Sequence, residues 1–198
     1  IEPGLFIGDL ASAISIPILM AHHITAIVSL LHVAQPAWAR PANRELVPAR
    51  NHMFVQCDDS PAQDILCSLN AICDFIDAHL GRPKAMPDLK TLIMHGHDDE
   101  EEVLMEAFAR AAEPGKVLVH CCEGVSRSAT AVVAYLMRKH ERRLGQVLAD
   151  VKRRRGRIAP SRSFMEQLRV WEEVEYEVWE DEARTVPKEA YRRWLDRR

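Results

Sequence analysis

The sequence lacks the cysteine pattern of a disulfide-stapled or zinc-bound protein. It has five cysteines, an odd number, and no two of them form a CxxC pair: Cys57, Cys67, Cys73, Cys121 and Cys122. Neither a disulfide framework nor a zinc ribbon follows from this spacing. A reducing compartment is the simpler interpretation, so we expect a location in the cytoplasm, the nucleus or both.

The sequence also lacks an excess of charge of either sign. Lys and Arg number 26 and Asp and Glu number 29, which gives a formal net charge of −3. A near-neutral balance gives no support to a general nucleic-acid binder, because such proteins carry surplus cations for the phosphates.

A long uninterrupted hydrophobic run is missing as well. The most apolar stretch, residues 10–31, is broken by Pro17, His22 and His23. A membrane span needs about 20 residues without such interruptions, so we interpret this stretch as a core helix followed by a core strand. Because the chain begins with Ile1 rather than Met, we expect it to be a piece of a longer protein.

What is present is the composition of one globular domain. The 198 residues are 47% hydrophobic and 28% charged, and this length suits a single domain. Short apolar runs predict strands, and apolar residues at helical spacing predict helices. The predicted strands are 5–7, 24–31, 52–57 and 116–120, and the predicted helices are 64–80, 128–140, 146–155 and 161 to about 182.

These elements predict an α/β fold with a central, mainly parallel sheet and helices on both faces. Residues 32–51 carry three prolines and are expected to form a long connection. Residues 81–115 contain an acidic run, with a helix expected over about 101–112, and are interpreted as an insertion. We expect one catalytic domain over 1–182, and a charged tail or an extra helix over 183–198.

The chemistry of the chain is concentrated in residues 119–128, between a strand and a helix. A strand–loop–helix junction directs successive backbone N–H groups into one concavity, which suits a tetrahedral dianion. Arg127 can hold two phosphate oxygens with its planar fork, and Gly124 permits a tight backbone turn. The phosphate-binding loop is therefore expected to comprise Cys122, Glu123, Gly124, Val125, Ser126 and Arg127.

A cysteine at the base of this loop is expected to be a thiolate near neutral pH, and so a nucleophile for phosphorus. Cys121 is separated from Arg127 by five residues and Cys122 by four. The longer spacing suits a loop with the thiolate at its base, so Cys121 is the predicted nucleophile. Ser128 can donate its hydroxyl to the thiolate, and His120 is expected to orient the loop and tune the thiol.

The motif His-Cys-x-x-Gly-x-Ser-Arg-Ser over residues 120–128 resembles the signature of the dual-specificity phosphatases, within the cysteine-based protein tyrosine phosphatases. Weaker similarities in the same order extend over about 1–175, with a gap at the insertion. The resemblance implies a general-acid aspartate. Counting back from Asp74-Phe75-Ile76-Asp77 assigns this role to Asp59, with Asp58 as the runner-up.

The resemblance further implies a phosphatase that removes phosphate from tyrosine, serine and threonine of proteins through a phosphocysteine. It implies no metal and no cofactor. We expect a phosphorylated protein as partner, no nucleic acid and no membrane span. The alternatives are the same chemistry on a phosphoinositide, an RNA 5′ end or a glycan, a silent phospho-binding module, and a scaffold. The family often has Asn where this chain has Ser161, and that residue helps to brace the phosphate-binding loop. The sequence therefore does not predict which group braces the loop here.

Overall fold

The computed structural model describes residues 1–81 and 114–198. The predicted helix over about 101–112, and most of the predicted insertion, lie outside the described residues. None of the described helices has the length and apolar character that a membrane crossing needs.

Within residues 1–81 and 114–198, four short strands form one parallel sheet in the order β1-β4-β2-β3. They are β1 (Leu5–Gly8), β2 (Ala26–Leu31), β3 (His52–Gln56) and β4 (Val117–His120). Every residue of the two central strands, β2 and β4, is buried, as expected for strands covered on both faces. This confirms the predicted fold class.

Eight α-helices surround the sheet in the described part of the chain. They are α1 (Leu10–Ile14), α2 (Ile16–Ala21), α3 (Pro41–Leu46), α4 (Leu66–His79), α5 (Arg127–His140), α6 (Leu144–Arg154), α7 (Arg162–Glu173) and α8 (Glu189–Leu195).

The sheet separates two hydrophobic clusters because side chains alternate along each strand. Val117 and Val119 of β4 face the larger cluster, which includes side chains of α4 to α8. Leu118 faces the smaller one with residues of α1 and α2 and with Trp38. Helical elements therefore cover both faces of the sheet.

Two expectations about the elements are wrong. Residues 32–51 are not merely a connection: they contain α3 and two 3₁₀ turns, Pro36–Ala39 and Ala49–Asn51. Pro41 occupies the first turn of α3, where its missing N–H costs no hydrogen bond.

The last long helix, expected to reach about residue 182, ends at Glu173. Glu175 and Tyr176 have left-handed backbone conformations with φ of 54° and 64°, which no α-helix accommodates. The chain then turns into α8, whose Tyr191 and Trp194 are buried in the larger cluster. The Tyr191 hydroxyl donates to Asp64 at 2.7 Å. The division of the chain at residue 182 stays a prediction.

The residues that flank the undescribed segment meet each other. The Gly81 N–H donates to the Gly115 carbonyl at 3.1 Å. Gly115 stands just before β4, so this junction lies at the amino end of that strand, whereas Cys121 follows its carboxyl end. The predicted insertion therefore leaves and rejoins the fold at the edge of the sheet opposite the phosphate-binding loop.

Candidate active site

The phosphate-binding loop joins the buried strand β4 to the first turn of α5. Gly124 has a φ of +68°, and a Cβ placed there would lie 2.5 Å from the Gly8 carbonyl oxygen. A residue with a side chain would be strained by both the conformation and the contact. The close approach of loop and β1 thus requires glycine at this position.

Five carbonyl groups of the loop, those of residues 122–126, accept hydrogen bonds from the surrounding scaffold. The accepting carbonyls and their donors are Cys122 with Leu10 N–H, Glu123 with Arg157, Gly124 with Arg155, Val125 with Ala159 N–H, and Ser126 with Thr130, at 2.7–3.2 Å. Because these carbonyls are engaged outside the loop, its amide N–H groups are free to converge on the inside. Such a ring of donors is a preformed anion site.

The Cys121 thiol lies at the base of this ring and is 2% exposed. The Gly124 N–H donates to its Sγ at 3.3 Å, and the Ser128 hydroxyl lies 3.3 Å from the same atom. Burial opposes ionisation, but hydrogen bonds from the Ser128 hydroxyl and from the amides of Ser128, Val125 and Gly124 outweigh it. The net effect lowers the pKa of Cys121, which favours the nucleophilic thiolate.

Cys122, the neighbouring cysteine, is exposed. Its side chain is hydrogen-bonded to Arg127, whereas the Ser128 hydroxyl and the Gly124 N–H lie against the Cys121 sulfur. The structure therefore distinguishes the two cysteines by environment as well as by spacing.

Arg127 is almost buried and its guanidinium is held in place. One terminal N–H donates to the Cys57 carbonyl at 2.9 Å, while the buried Nε has no hydrogen-bond partner among the described residues. Burial opposes the charge, but the neighbouring Cys122 and Cys121 raise the pKa of Arg127 overall. A fixed cation with an unsatisfied donor beside the loop suits a bidentate contact with phosphate.

The two aspartates after β3 have different surroundings. Asp59 is exposed and accepts a hydrogen bond from the Ser126 hydroxyl at 3.0 Å. Asp58 pairs instead with His32 at 2.9 Å. The structure thus brings Asp59 to the rim of the phosphate-binding loop and directs Asp58 away from it.

His120 is fully buried beneath the loop. Its Nε2 lies 2.6 Å from the Ser29 hydroxyl and its Nδ1 lies 3.3 Å from the Cys121 carbonyl oxygen. Burial lowers the pKa of His120 to about 4, so the ring is neutral at physiological pH. A neutral imidazole at this distance can orient the loop, and it faces the backbone rather than the thiol.

Ser161 supports the loop through its backbone. Its N–H donates to the Ser126 hydroxyl oxygen at 3.1 Å, while its own hydroxyl caps α7 by accepting from Phe164 N–H. Ser126 therefore connects Ser161 and Asp59, and the loop is braced here without an asparagine side chain.

Gln167 is a supporting residue to which sequence reasoning gave no role. It is fully buried on α7, where its Oε1 accepts from Ile65 N–H at 2.8 Å and its Nε2 donates to the Gln63 carbonyl at 2.8 Å. These bonds fix the segment that follows Asp59. The sequence did carry a signal for this role, because Gln167 lies on the apolar face of a predicted helix. A buried side-chain amide must be hydrogen-bonded, so a glutamine in that position indicates a structural contact.

The sequence of this chain is similar to those of known phosphatases. The family model described as dual specificity phosphatase, catalytic domain, matches residues 100–174. The chain is 32% identical over 152 residues to the tyrosine-protein phosphatase yvh1 of Schizosaccharomyces pombe, covering 77% of this chain and 35% of that protein. It is 33% identical over 170 residues to dual specificity protein phosphatase 26 of Bos taurus, covering 84% of this chain and 63% of that protein.

Among solved structures, the Yvh1 phosphatase domain from Chaetomium thermophilum superposes with a TM-score of 0.64 at 28% identity, covering 86% of this chain and 91% of that one. The chain belongs to the dual-specificity phosphatase family, as its motif predicted. It spans between about a third and two thirds of the length of these curated relatives.

Proposed function

We propose that this chain is a protein phosphatase domain that hydrolyses phosphotyrosine and phosphoserine or phosphothreonine through a phosphocysteine on Cys121. The observation that supports this most directly is the set of donors around the Cys121 sulfur, next to a guanidinium with an unsatisfied N–H. These groups stabilise a thiolate and the phosphate that it attacks.

In the first step the Cys121 thiolate attacks phosphorus, and the bond from phosphorus to the substrate oxygen breaks. Asp59, at the rim of the loop, gives its proton to the leaving oxygen. Arg127 and the loop amides bear the charge on the three remaining phosphate oxygens.

In the second step water attacks the phosphocysteine and the S–P bond breaks. Asp59, now a carboxylate, accepts the water proton, and the Ser128 hydroxyl stabilises the departing thiolate. The enzyme returns to its starting form with inorganic phosphate as product, so the cycle balances with the residues of the loop and its rim.

Protein substrates and a cytoplasmic or nuclear location also belong to this proposal. The five cysteines are unpaired, and the mechanism requires Cys121 to stay reduced, which suits a reducing compartment. The protein-phosphatase names of the relatives support phosphoproteins rather than the lipid, RNA or glycan alternatives.

The test measures phosphate release from matched phosphotyrosine and phosphothreonine peptides and from a phosphoinositide. Cys121→Ser should abolish turnover, whereas Cys122→Ser, the matched control one residue away, should retain most of it. Release from both peptides that is lost only with Cys121→Ser would support the proposal. Release from the phosphoinositide alone would indicate a lipid substrate instead of a phosphoprotein. No release from any of the substrates would favour a phospho-binding module.

A second pair of variants tests the acid. Asp59→Asn should slow hydrolysis most for esters with poor leaving groups, because those need the proton. Asp58→Asn, the matched control, should change little. An equal effect of Asp59→Asn on activated and unactivated esters would count against Asp59 as the acid.

A further inference from the structure

A row of polar side chains extends from His120 away from the phosphate-binding loop, across the sheet. Ser29 of β2 lies 2.6 Å from His120 Nε2 and 2.8 Å from His52 Nε2 of β3. The row ends at Arg44 of α3, whose terminal nitrogen is 3.2 Å from His52 Nδ1. Parallel pairing places Ser29 opposite His120 in the sheet, so strand register brings these side chains together.

Arg44 sets the direction of every bond in this row. A guanidinium donates hydrogen bonds and cannot accept them, so His52 Nδ1 must accept and the ring proton of His52 lies on Nε2. That proton is donated to Ser29. The Ser29 hydroxyl is then free to donate to His120 Nε2, and the ring proton of His120 is left on Nδ1, facing the Cys121 carbonyl at 3.3 Å.

We propose that Arg44, His52 and Ser29 are positioning residues that hold His120 in the tautomer protonated on Nδ1, and thereby hold the Cys121 end of the phosphate-binding loop. This deepens the proposed function, on which its catalytic consequence depends. The three residues touch neither phosphate nor thiol, and they act only through His120.

The opposite tautomer shows why the direction matters. If His52 carried its proton on Nδ1, Ser29 would donate to His52 and accept from His120. His120 would then present a bare Nδ1 lone pair to the Cys121 carbonyl oxygen. Two acceptors would face each other, and the loop would lose a hydrogen bond at the residue that bears the nucleophile.

The surroundings favour a neutral, oriented His52. Trp38, which is buried, packs against the His52 ring with 4.5 Å between ring centroids, and the Arg44 guanidinium lies 5.5 Å from the same indole. Burial is the largest cause that lowers the pKa of His52 to about 4, and the Arg44 charge and coupling to the neighbouring His120 ring add to it. Asp9 and Arg127 are the charged side chains that act on His120. The row therefore consists of neutral rings with one fixed cation at its outer end.

The decisive variant is Arg44→Met, which keeps much of the side-chain bulk and removes the donor. Arg44→Lys restores a side chain that only donates, so it should rescue the effect. Arg50→Met, at an exposed arginine six residues further along, is the matched control. Ser29→Ala is a small change that breaks the last link and decides the question if Arg44→Met fails to fold.

Three measurements are made on each folded variant. The ¹⁵N chemical shifts of the His120 ring report its tautomer, and the pH dependence of Cys121 alkylation by iodoacetamide reports the pKa of the thiol. Steady-state kinetics give kcat and KM. For Arg44→Met we expect the Nδ1-protonated tautomer to lose population and the pKa of Cys121 to rise. We expect kcat to fall roughly three- to tenfold, because a loss of this size corresponds to about one hydrogen bond. KM should stay nearly unchanged.

An unchanged His120 tautomer in both Arg44→Met and Ser29→Ala would overturn the proposal. So would a loss of activity in Arg44→Met that Arg44→Lys does not rescue. The tautomer and the alkylation profile need no turnover, so they test the row even if the wild-type chain hydrolyses no substrate. Absence of turnover would refute the proposed function separately.

Discussion

The Ser128 hydroxyl offers the sharpest test of how the thiolate is stabilised. Its oxygen lies 3.3 Å from Cys121 Sγ, and it is the largest of the influences that lower the pKa of that thiol. In Ser128→Ala this donor is lost, while the backbone amides of Ser128, Val125 and Gly124 remain. The variant should therefore fold and bind phosphate but ionise its thiol at higher pH.

The magnitude follows from the strength of such a bond. A hydrogen bond to a charged group contributes about 1.5–3 kcal/mol, and one pKa unit corresponds to about 1.4 kcal/mol. Because three amide donors stay in place, we expect the lower end of that range, a rise of roughly one unit.

The assay is the rate of inactivation by iodoacetamide as a function of pH, with the inflection taken as the pKa of Cys121. Ser68→Ala, a loss of a hydroxyl on α4 away from the loop, is the control. Single-turnover kinetics should also show slower breakdown of the phosphocysteine in Ser128→Ala. An inflection that does not move would refute the role of this hydroxyl in stabilising the thiolate.

Three further predictions concern the loop and its support. Gly124→Ala should abolish binding of orthovanadate, measured by calorimetry, because its Cβ would meet the Gly8 carbonyl; Gly145→Ala, where nothing lies within 4 Å, should bind normally. Gln167→Leu should lower the free energy of unfolding by about 2–4 kcal/mol in urea titrations, since it leaves the buried Ile65 N–H and the partly buried Gln63 carbonyl without their hydrogen-bond partner. Lowering the pH from 6.5 to 4 should lower the free energy of unfolding, because His120 binds a proton in the unfolded chain but stays neutral when buried in the fold. The loss from His120 is about 3 kcal/mol. A His120→Asn variant whose stability depends on pH in the same way as the wild type would contradict this prediction.

Much of the framework could be predicted because local patterns decide it. The buried runs at 26–31 and 117–120 are short, apolar and contain β-branched residues, which favours strands over helices, and the loop motif between strand and helix has few alternatives. The end of α7 could not be predicted in this way. The sequence after Glu173 is rich in glutamate, a good helix former, yet tertiary packing places Glu175 and Tyr176 in left-handed conformations.

The contacts of the residues around the phosphate-binding loop could not be predicted, for a different reason. Asp58 and Asp59 are chemically identical neighbours. The register of the family resemblance favoured Asp59, and the structure adds the direction of each side chain, toward His32 for Asp58 and toward Ser126 for Asp59. Arg44 lies in the stretch 32–51, whose prolines predicted a connection, and His52 begins a predicted strand; both precede His120 by many residues. Their proximity depends on the strand order β4-β2-β3, which no local pattern encodes.

The contact between Gly81 and Gly115 makes the fold tolerant of whatever lies between them. Since the two ends already touch, a short turn or a long segment closes the same gap, and each doubling of length costs only about 0.6 kcal/mol of chain entropy. The junction also stands at the far end of β4 from the thiolate. Segments of different length can therefore be exchanged at this position while the geometry around Cys121, at the other end of β4, is kept.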